Sequence, residues 1–215
     1  TGHIRRVLQS RYGDGGHGFI LPSKLYSGDR AADINRCHSE WEIDYVGRDG
    51  GRKDGFYGLG YSAIASSPSD FAWIETTFQN PHGRLVSSFD ILTLAGPNGG
   101  SLLAQVDRNP PLVIPTFSPK HELGHVRIEV AESSHRLSIQ PAGDGEIRLF
   151  GVSAERSGPG VVVDAIGIRG KEARTWLKWN DTLFQEALQV LYTDIVVLAY
   201  GTNEANALTY TMESY

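Results

Sequence analysis

Short segments of β-type sequence, separated by turn-forming residues, fill the middle of this 215-residue chain and limit what it can fold into. Six such segments lie at residues 71–78, 85–94, 101–106, 125–131, 135–139 and 146–152. Glycine- and proline-containing clusters such as residues 96–100 and 141–145 separate them, and the whole chain has 25 glycines and 10 prolines. Regularly spaced strands with turns between them favour an antiparallel β-sandwich or jelly roll over a helical bundle.

Both ends of the chain have a different pattern from the middle. Residues 1–12 carry apolar side chains at helical spacing, and the glycine-dense residues 13–18 end that helix. The C-terminal part has the order strand, helix, strand, at residues 161–163, 171–192 and 194–199. This order is typical of a parallel α/β layer.

The sequence therefore predicts two domains. Residues 1–22 and 156–215 form an α/β domain, and residues 23–155 form a β-sandwich inserted into it. The C-terminal helix is expected to break near Asn180. No convincing cap precedes the first helix, so we expect the α/β domain to begin upstream of residue 1.

Composition argues against several classes of function. The formal net charge is −5, and no run of lysine and arginine alternates with aromatic residues, so nucleic acid is not an expected partner. No apolar stretch approaches the roughly 20 residues needed to cross a bilayer, so no membrane span is expected. The single cysteine, Cys37, excludes an internal disulfide and a multi-cysteine metal cluster. No cofactor is indicated.

Two residues at the ends of the predicted C-terminal strands can donate hydrogen bonds to a developing oxyanion. Gly170 follows the first strand and opens a helix, so its backbone N–H is free to donate. Asn203 follows the second strand, and open α/β sheets place ligand-contacting residues at such strand ends. The alternative is that Gly170 forms an ordinary turn and that Asn203 caps a helix.

Two blocks of this sequence resemble the SGNH (GDSL-type) hydrolases. Residues 158–170, GPGVVVDAIGIRG, and residues 198–205, LAYGTNEA, are similar to the second and third blocks of that family. The match is closest to a branch resembling peptidoglycan O-acetylesterases, in which a jelly roll like a carbohydrate-binding module follows the first block. Residues 8–19 also resemble that branch. The resemblance implies a flavodoxin-like three-layer α/β fold, incomplete here, with Gly170 and Asn203 as oxyanion-hole donors.

The catalytic serine and histidine of the family have no counterpart in this chain. The family serine lies in a Gly-Asp-Ser motif, whereas Gly15 follows Asp14 and Arg30 follows Asp29. The family histidine lies in an Asp-x-x-His motif, and no histidine follows Asn203. The resemblance therefore implies a serine esterase that transfers an acyl group to water when complete. We expect this chain to be truncated at both ends and inactive alone.

The resemblance also implies a partner and a location. The expected partner is an O-acetylated glycan or peptidoglycan, and the expected location is periplasmic, secreted or at the cell surface. The alternative hypothesis is a non-catalytic carbohydrate-binding β-sandwich or a pseudoenzyme. Five aromatic residues of the middle segment can form a stacking surface for sugar rings: Trp41, Phe56, Tyr57, Tyr61 and Trp73. Burial in the core is the favoured interpretation for Trp73.

A competing motif lies at residues 121–125, HELGH, which match the H-E-x-x-H signature of zinc metalloproteases. That signature needs a helix to present both histidines on one face. Prolines precede this segment, Gly124 lies inside it and residues 126–130 alternate as a strand. The prediction is a strand without a bound metal. Three aspartates in a glycine-rich loop lack EF-hand spacing and are interpreted as solvated: Asp44, Asp49 and Asp54.

Overall fold

The computed structural model describes residues 2–21, 34–76 and 82–206. The helices in these ranges are α1 (Gly2–Tyr12) and α2 (Asp181–Val190), with short 3-10 helices at Ala173–Lys178 and Glu204–Asn206. The strands, in chain order, are β1 (Gly16–Ile20), β2 (Ile34–His38), β3 (Glu42–Tyr45), β4 (Tyr61–Ala65), β5 (Ala72–Thr76), β6 (Val86–Ala95), β7 (Ser101–Val106), β8 (Leu112–Pro115), β9 (Glu122–Ser133), β10 (Arg136–Pro141) and β11 (Ile147–Glu155).

The strands form two antiparallel sheets. The six-stranded sheet has the order β3-β4-β11-β6-β9, and β1 pairs with β11 beside this path. The five-stranded sheet has the order β2-β5-β10-β7-β8. Side chains of both sheets meet in one apolar core, where Phe89 and Ile91 of the first lie with Leu102 and Leu137 of the second. The predicted antiparallel β-sandwich is confirmed.

Turn chemistry explains why the predicted strands lie where they do. The six strands expected from alternation are all present, and β7 has the predicted bounds. The β6–β7 and β10–β11 turns pack against each other, because Gly100 N–H donates to the Glu146 carbonyl at 3.2 Å. A Cβ atom on Gly100 would lie 2.6 Å from the backbone nitrogen of Gly145. Only glycine permits this approach of two backbones.

The glycine-dense segment after α1 enters the six-stranded sheet, which the sequence did not predict. Gly13, Gly16 and Gly18 have the expected positive φ, at 101°, 101° and 83°. Gly16 nevertheless begins β1, which pairs antiparallel with β11. A Cβ atom on Gly16 would lie 2.7 Å from the Glu155 Cα atom, so glycine is needed for this pairing as well as for the turn.

The predicted α/β class is wrong for the part of the chain that the structure describes. The structure is mainly two antiparallel sheets, and no three-layer SGNH-type, flavodoxin-like fold is present in the described ranges. Val161 makes only an isolated parallel bridge to Asp14, and residues 194–199 belong to no strand. Ile195 and Val197 are 80% and 83% exposed. An apolar run becomes a parallel strand only beside partner strands, and neither run has one among the described residues. Residues 207–215 lie outside these ranges, and the proposed division into two domains stays a prediction.

A second apolar cluster covers the outer face of the six-stranded sheet. Leu92 and Phe150 of the sheet pack there with Leu183 and Ala187 of α2. The helical stretch breaks at Asn180 as predicted, because the Asn180 side chain accepts the Leu183 N–H at 3.0 Å and caps α2. In the described ranges, no helix has the length and apolar character to span a bilayer.

Candidate functional site

A cavity of about 470 Å³ lies where the segment after β11 faces the segment after α2. Residues 166–171 form one wall, and residues 195–203 form the other. Aromatic side chains of the 3-10 helix and of α2 also line it. Ligand sites for small molecules have volumes of about 300 to 1,000 Å³, so the cavity is large enough for one.

The two predicted oxyanion donors both line this cavity. The Asn203 Nδ2 atom donates to the carbonyl oxygen of Lys171 at 2.7 Å, which brings Asn203 beside the residue that follows Gly170. Gly170 has a φ of +72°, and no heavy atom lies within 4 Å of its Cβ position. The two residues are thus neighbours although 33 positions separate them. Their role in catalysis stays a prediction.

A buried glutamate holds the turn that carries Asn203. Glu204 is 6% exposed, and its carboxylate accepts the backbone N–H groups of Ala173 and Gly201, at 2.5 and 2.9 Å. These hydrogen bonds lower the Glu204 pKa, because they favour the charged form. The Asn203 amide nitrogen donates across the cavity rim, whereas an N-cap side chain accepts from its helix.

Three mutually packed aromatic rings form the apolar side of the cavity. The ring centroids of Trp176 and Trp179 are 4.7 Å apart, and Phe184 lies 4.8 and 4.9 Å from them. Trp176 Nε1 donates to the Tyr200 hydroxyl at 2.6 Å, and Trp179 Nε1 donates to the Gly58 carbonyl at 3.0 Å. Both tryptophans are partly exposed, and both line the cavity.

The β3–β4 loop and the start of β4 support the Gly170 wall. Lys171 Nζ donates to the carbonyl of Gly47 at 2.6 Å, and the Tyr61 hydroxyl donates to the carbonyl of Gly167 at 2.5 Å. These two bonds flank Gly170 in sequence. The cavity and the sandwich are therefore connected by direct hydrogen bonds.

Four of the five residues of the H-E-x-x-H segment lie in strand β9, which begins at Glu122 and confirms the predicted strand. His125 Nε2 lies 2.7 Å from the Asp90 carboxylate, and His121 stacks on Phe56 with ring centroids 4.6 Å apart. Glu122 instead accepts a hydrogen bond from the Ser118 hydroxyl at 2.6 Å. Across the described ranges, no group of three or more His, Cys, Asp or Glu side chains is arranged to hold a metal ion.

The glycine-rich loop contains a charged network that the sequence analysis missed. Arg148 of β11 is 2% exposed and binds both carboxylate oxygens of Asp54, at 2.6 and 3.1 Å. Asp44 is fully buried and accepts the N–H groups of Tyr45 and Arg52, both at 2.8 Å. The interpretation as solvated is wrong for Asp44, whereas Asp54 stays exposed while it pairs with Arg148. A signal existed, because an arginine within an apolar strand needs a carboxylate partner.

The aromatic residues predicted to form a stacking surface do not lie together, because some are buried in the core and others are partly exposed. Trp41, Tyr57 and Tyr61 are buried, at 4%, 2% and 3% exposure. Trp73 is partly exposed on the outer face of the five-stranded sheet, so the expected burial of this side chain is wrong. The Arg136 guanidinium lies 4.2 Å from the Trp73 ring centroid.

No protein-family model and no curated protein matches this sequence. Among solved structures, the chain is similar to an exo-β-1,3-galactanase from Phanerochaete chrysosporium, at 12% identity, 57% coverage of this chain and a TM-score of 0.38. This chain spans about a quarter of that protein, 27% of its length.

Two further similar structures are a carbohydrate-binding module and an esterase. The family 35 carbohydrate binding module from Clostridium thermocellum is 6% identical, with 58% of this chain and 93% of that chain covered and a TM-score of 0.38. The family two carbohydrate esterase from Cellvibrio japonicus is 12% identical, with 62% and 37% covered and a TM-score of 0.31. These TM-scores are below 0.5, so the fold assignment rests on the strand pairing and not on these similarities.

Proposed function

We propose that this chain binds carbohydrate. The observation that carries the proposal is one cavity that combines stacked aromatic rings with an amide side chain and open backbone at Gly170. Sugar rings offer C–H faces that pack on aromatic side chains and hydroxyl groups that need hydrogen-bond partners. A pocket with apolar walls and a few placed polar groups is the usual form of a small-molecule site.

Tryptophan fluorescence tests this proposal, because Trp176 and Trp179 both line the cavity. Titration with oligosaccharides of xylose, galactose and N-acetylglucosamine is expected to give a saturable change with at least one of them. Trp176→Ala is expected to weaken that binding by about tenfold or more, as for a central aromatic contact. Leu177→Ala is the matched control, because the adjacent Leu177 is 88% exposed and does not line the cavity. No saturable change with any of the sugars contradicts the proposal.

A second candidate function is hydrolysis of an acetyl ester on the bound glycan, peptidoglycan included, by an SGNH-type serine esterase. The observation that favours it is the meeting of Gly170 and Asn203 at one rim of the cavity. In acyl transfer, such donors stabilise the negative oxygen of the tetrahedral intermediate. The serine and histidine of the family are not among residues 1–215, so this chain is assigned the oxyanion donors only. A periplasmic, secreted or cell-surface location belongs to this proposal.

Acetate release from p-nitrophenyl acetate and from O-acetylated peptidoglycan tests the second function. This chain alone is expected to be inactive, and a version with Gly-Asp-Ser and Asp-x-x-His blocks is expected to be active. In the active version, Asn203→Ala is expected to lower kcat by about 10²- to 10³-fold. Gln185→Ala, on the exposed side of α2, is the control. Unchanged turnover in the Asn203 variant contradicts the oxyanion assignment.

A further inference from the structure

The outer face of the five-stranded sheet carries a row of side chains that the cavity does not use. In β5, β7 and β10, buried positions alternate with partly or fully exposed ones. The strand register aligns the exposed positions Cys37, Trp73, Ser138 and Gln105 across four neighbouring strands. Strands lie about 4.8 Å apart, so the row spans about 14 Å, the length of a short oligosaccharide.

Trp73 is the aromatic member of this row, and a charged pair of side chains packs against it. The Arg136 guanidinium lies 4.2 Å from the Trp73 ring centroid, and Arg136 forms an ion pair with Glu75 at 3.1 Å. The register pairs Arg136 with Glu75 and Ser138 with Trp73 on adjacent strands. The guanidinium therefore lies over one face of the ring, and Glu75 and Ser138 occupy neighbouring positions of the sheet.

These groups suit a sugar better than a protein surface. A pyranose ring packs its C–H face on an aromatic side chain, and its neighbouring hydroxyls bind paired donors and acceptors such as a guanidinium and a carboxylate. Cores of protein interfaces are instead depleted of charged residues. Because Glu75 already neutralises Arg136, a neutral sugar fits this surface better than an acidic one.

We propose that this outer face is a second glycan site, which binds neutral pyranose units of an extended polysaccharide with Trp73 as the stacking residue. The proposal rests on the proposed function that the chain binds carbohydrate. It adds a site on the outer face of the sheet to the one in the cavity. A chain with two such sites can hold a polymer at one of them while a shorter branch or end occupies the other.

Isothermal titration of the chain with neutral oligosaccharides of xylose and galactose tests the proposal. Two sites per chain are expected. Trp73→Ala is expected to remove one of them, with affinity there lowered about tenfold or more, and Trp73→Phe is expected to retain part of it. Phe71→Ala is the control, because Phe71 is 44% exposed beside β5 but lies outside the row. Circular dichroism of each variant checks that the sandwich is folded.

The other outcomes separate this proposal from the first one. A single site that is lost in Trp176→Ala and unchanged in Trp73→Ala overturns the second site and leaves the proposed function intact. No binding by the unaltered chain overturns both. Self-association of the chain that Trp73→Ala abolishes, without any glycan site at the sheet, overturns the proposal in favour of a protein contact.

Discussion

The two sheets of the sandwich differ in how many of their faces are covered. In the six-stranded sheet, β6 is buried at nine of its ten positions and β11 at eight of nine. In the five-stranded sheet, β5, β7 and β10 are buried at alternate positions. The first sheet packs on the core with one face and on α2 with the other, whereas the second packs only on the core in the part of the chain that the structure describes. A strand is therefore buried at nearly every position when both faces of its sheet are covered, and at alternate positions when only one face is covered.

Polar side chains in the sheet that is covered on both faces require hydrogen-bond or charged partners. Asp90 of β6 is 1% exposed, and its two carboxylate oxygens bind His125 and Arg127, at 2.7 and 3.1 Å. Arg148 is likewise paired with Asp54. On the outer face of the other sheet, polar side chains can be hydrated instead. Burying an unpaired charge is far more costly than leaving it in water, so partners are required only in the covered sheet.

The largest expected effect comes from the apolar layer between the six-stranded sheet and α2. Leu92 is fully buried there, so Leu92→Ala is expected to lower the free energy of unfolding by about 3 kcal/mol, through lost burial and a cavity. Leu103→Ala is the matched change on the outer face of the five-stranded sheet, with an expected loss below about 1 kcal/mol. Urea denaturation measures both. Equal losses would mean that the two sheets are not covered differently.

Removing a partner from a buried charge is expected to have the next largest effect. Asp54→Ala leaves the Arg148 guanidinium buried without its carboxylate, and we expect a loss of about 2 kcal/mol. Glu132→Ala breaks a similar two-bond pair with Arg156, in which both side chains are about a third exposed. That control is expected to lose much less stability than Asp54→Ala, because solvent screens an exposed pair. A negligible effect of Asp54→Ala in urea denaturation would contradict the pairing requirement.

A smaller effect is expected from the pH dependence of Glu155 in the covered sheet. Burial raises the Glu155 pKa above its ordinary 4.5; the Ser153 hydroxyl partly offsets this, while Asp90 and Asp164 raise the pKa further. A raised carboxyl pKa gives stability that is present below the ordinary value and is lost as pH rises through the folded value. Glu155→Gln is therefore expected to be more stable than the unaltered chain at pH 7, by less than about 1 kcal/mol, and not at pH 3. Thermal melts at both pH values measure this, and the reverse order contradicts it.

The smallest effect is expected at Asp144, beside the start of β7 in the five-stranded sheet. The Ser101 hydroxyl and backbone N–H donate to its carboxylate at 2.6 and 2.7 Å, and these bonds lower the Asp144 pKa. A lowered pKa gives stability that is present above the ordinary value of 3.8 and is lost as pH falls through the folded value. Asp144→Asn is expected to reduce the fall in melting temperature as the pH is lowered. Glu155→Gln is instead expected to reduce the fall in stability as the pH is raised. Thermal melts at several acidic pH values measure this, and the same fall in melting temperature in both chains would contradict it.

The two site residues predicted from the sequence lie close together although the fold predicted around them is wrong. Gly170 and Asn203 were selected as neighbours because each follows a predicted strand, and both line one cavity. The strands themselves are not present in the described residues. A local signal, such as a glycine that opens a helical stretch, does not depend on the fold class, because it involves only a few residues. Arg148 was missed because its partner Asp54 is 94 residues away.

The turns, the alternating strands and the break before α2 follow from the local sequence, because each depends on backbone preferences or side-chain spacing over fewer than about ten residues. Three other features follow from packing between segments that are distant in sequence. Long-range packing places the glycine-dense segment in the sheet as β1 and Trp73 on an outer face, and residues 194–199 have no partner strand among the described residues. Each of these depends on which distant segment lies alongside. An apolar or glycine-rich pattern indicates that a segment can pack closely against another, but it does not identify which distant segment that is.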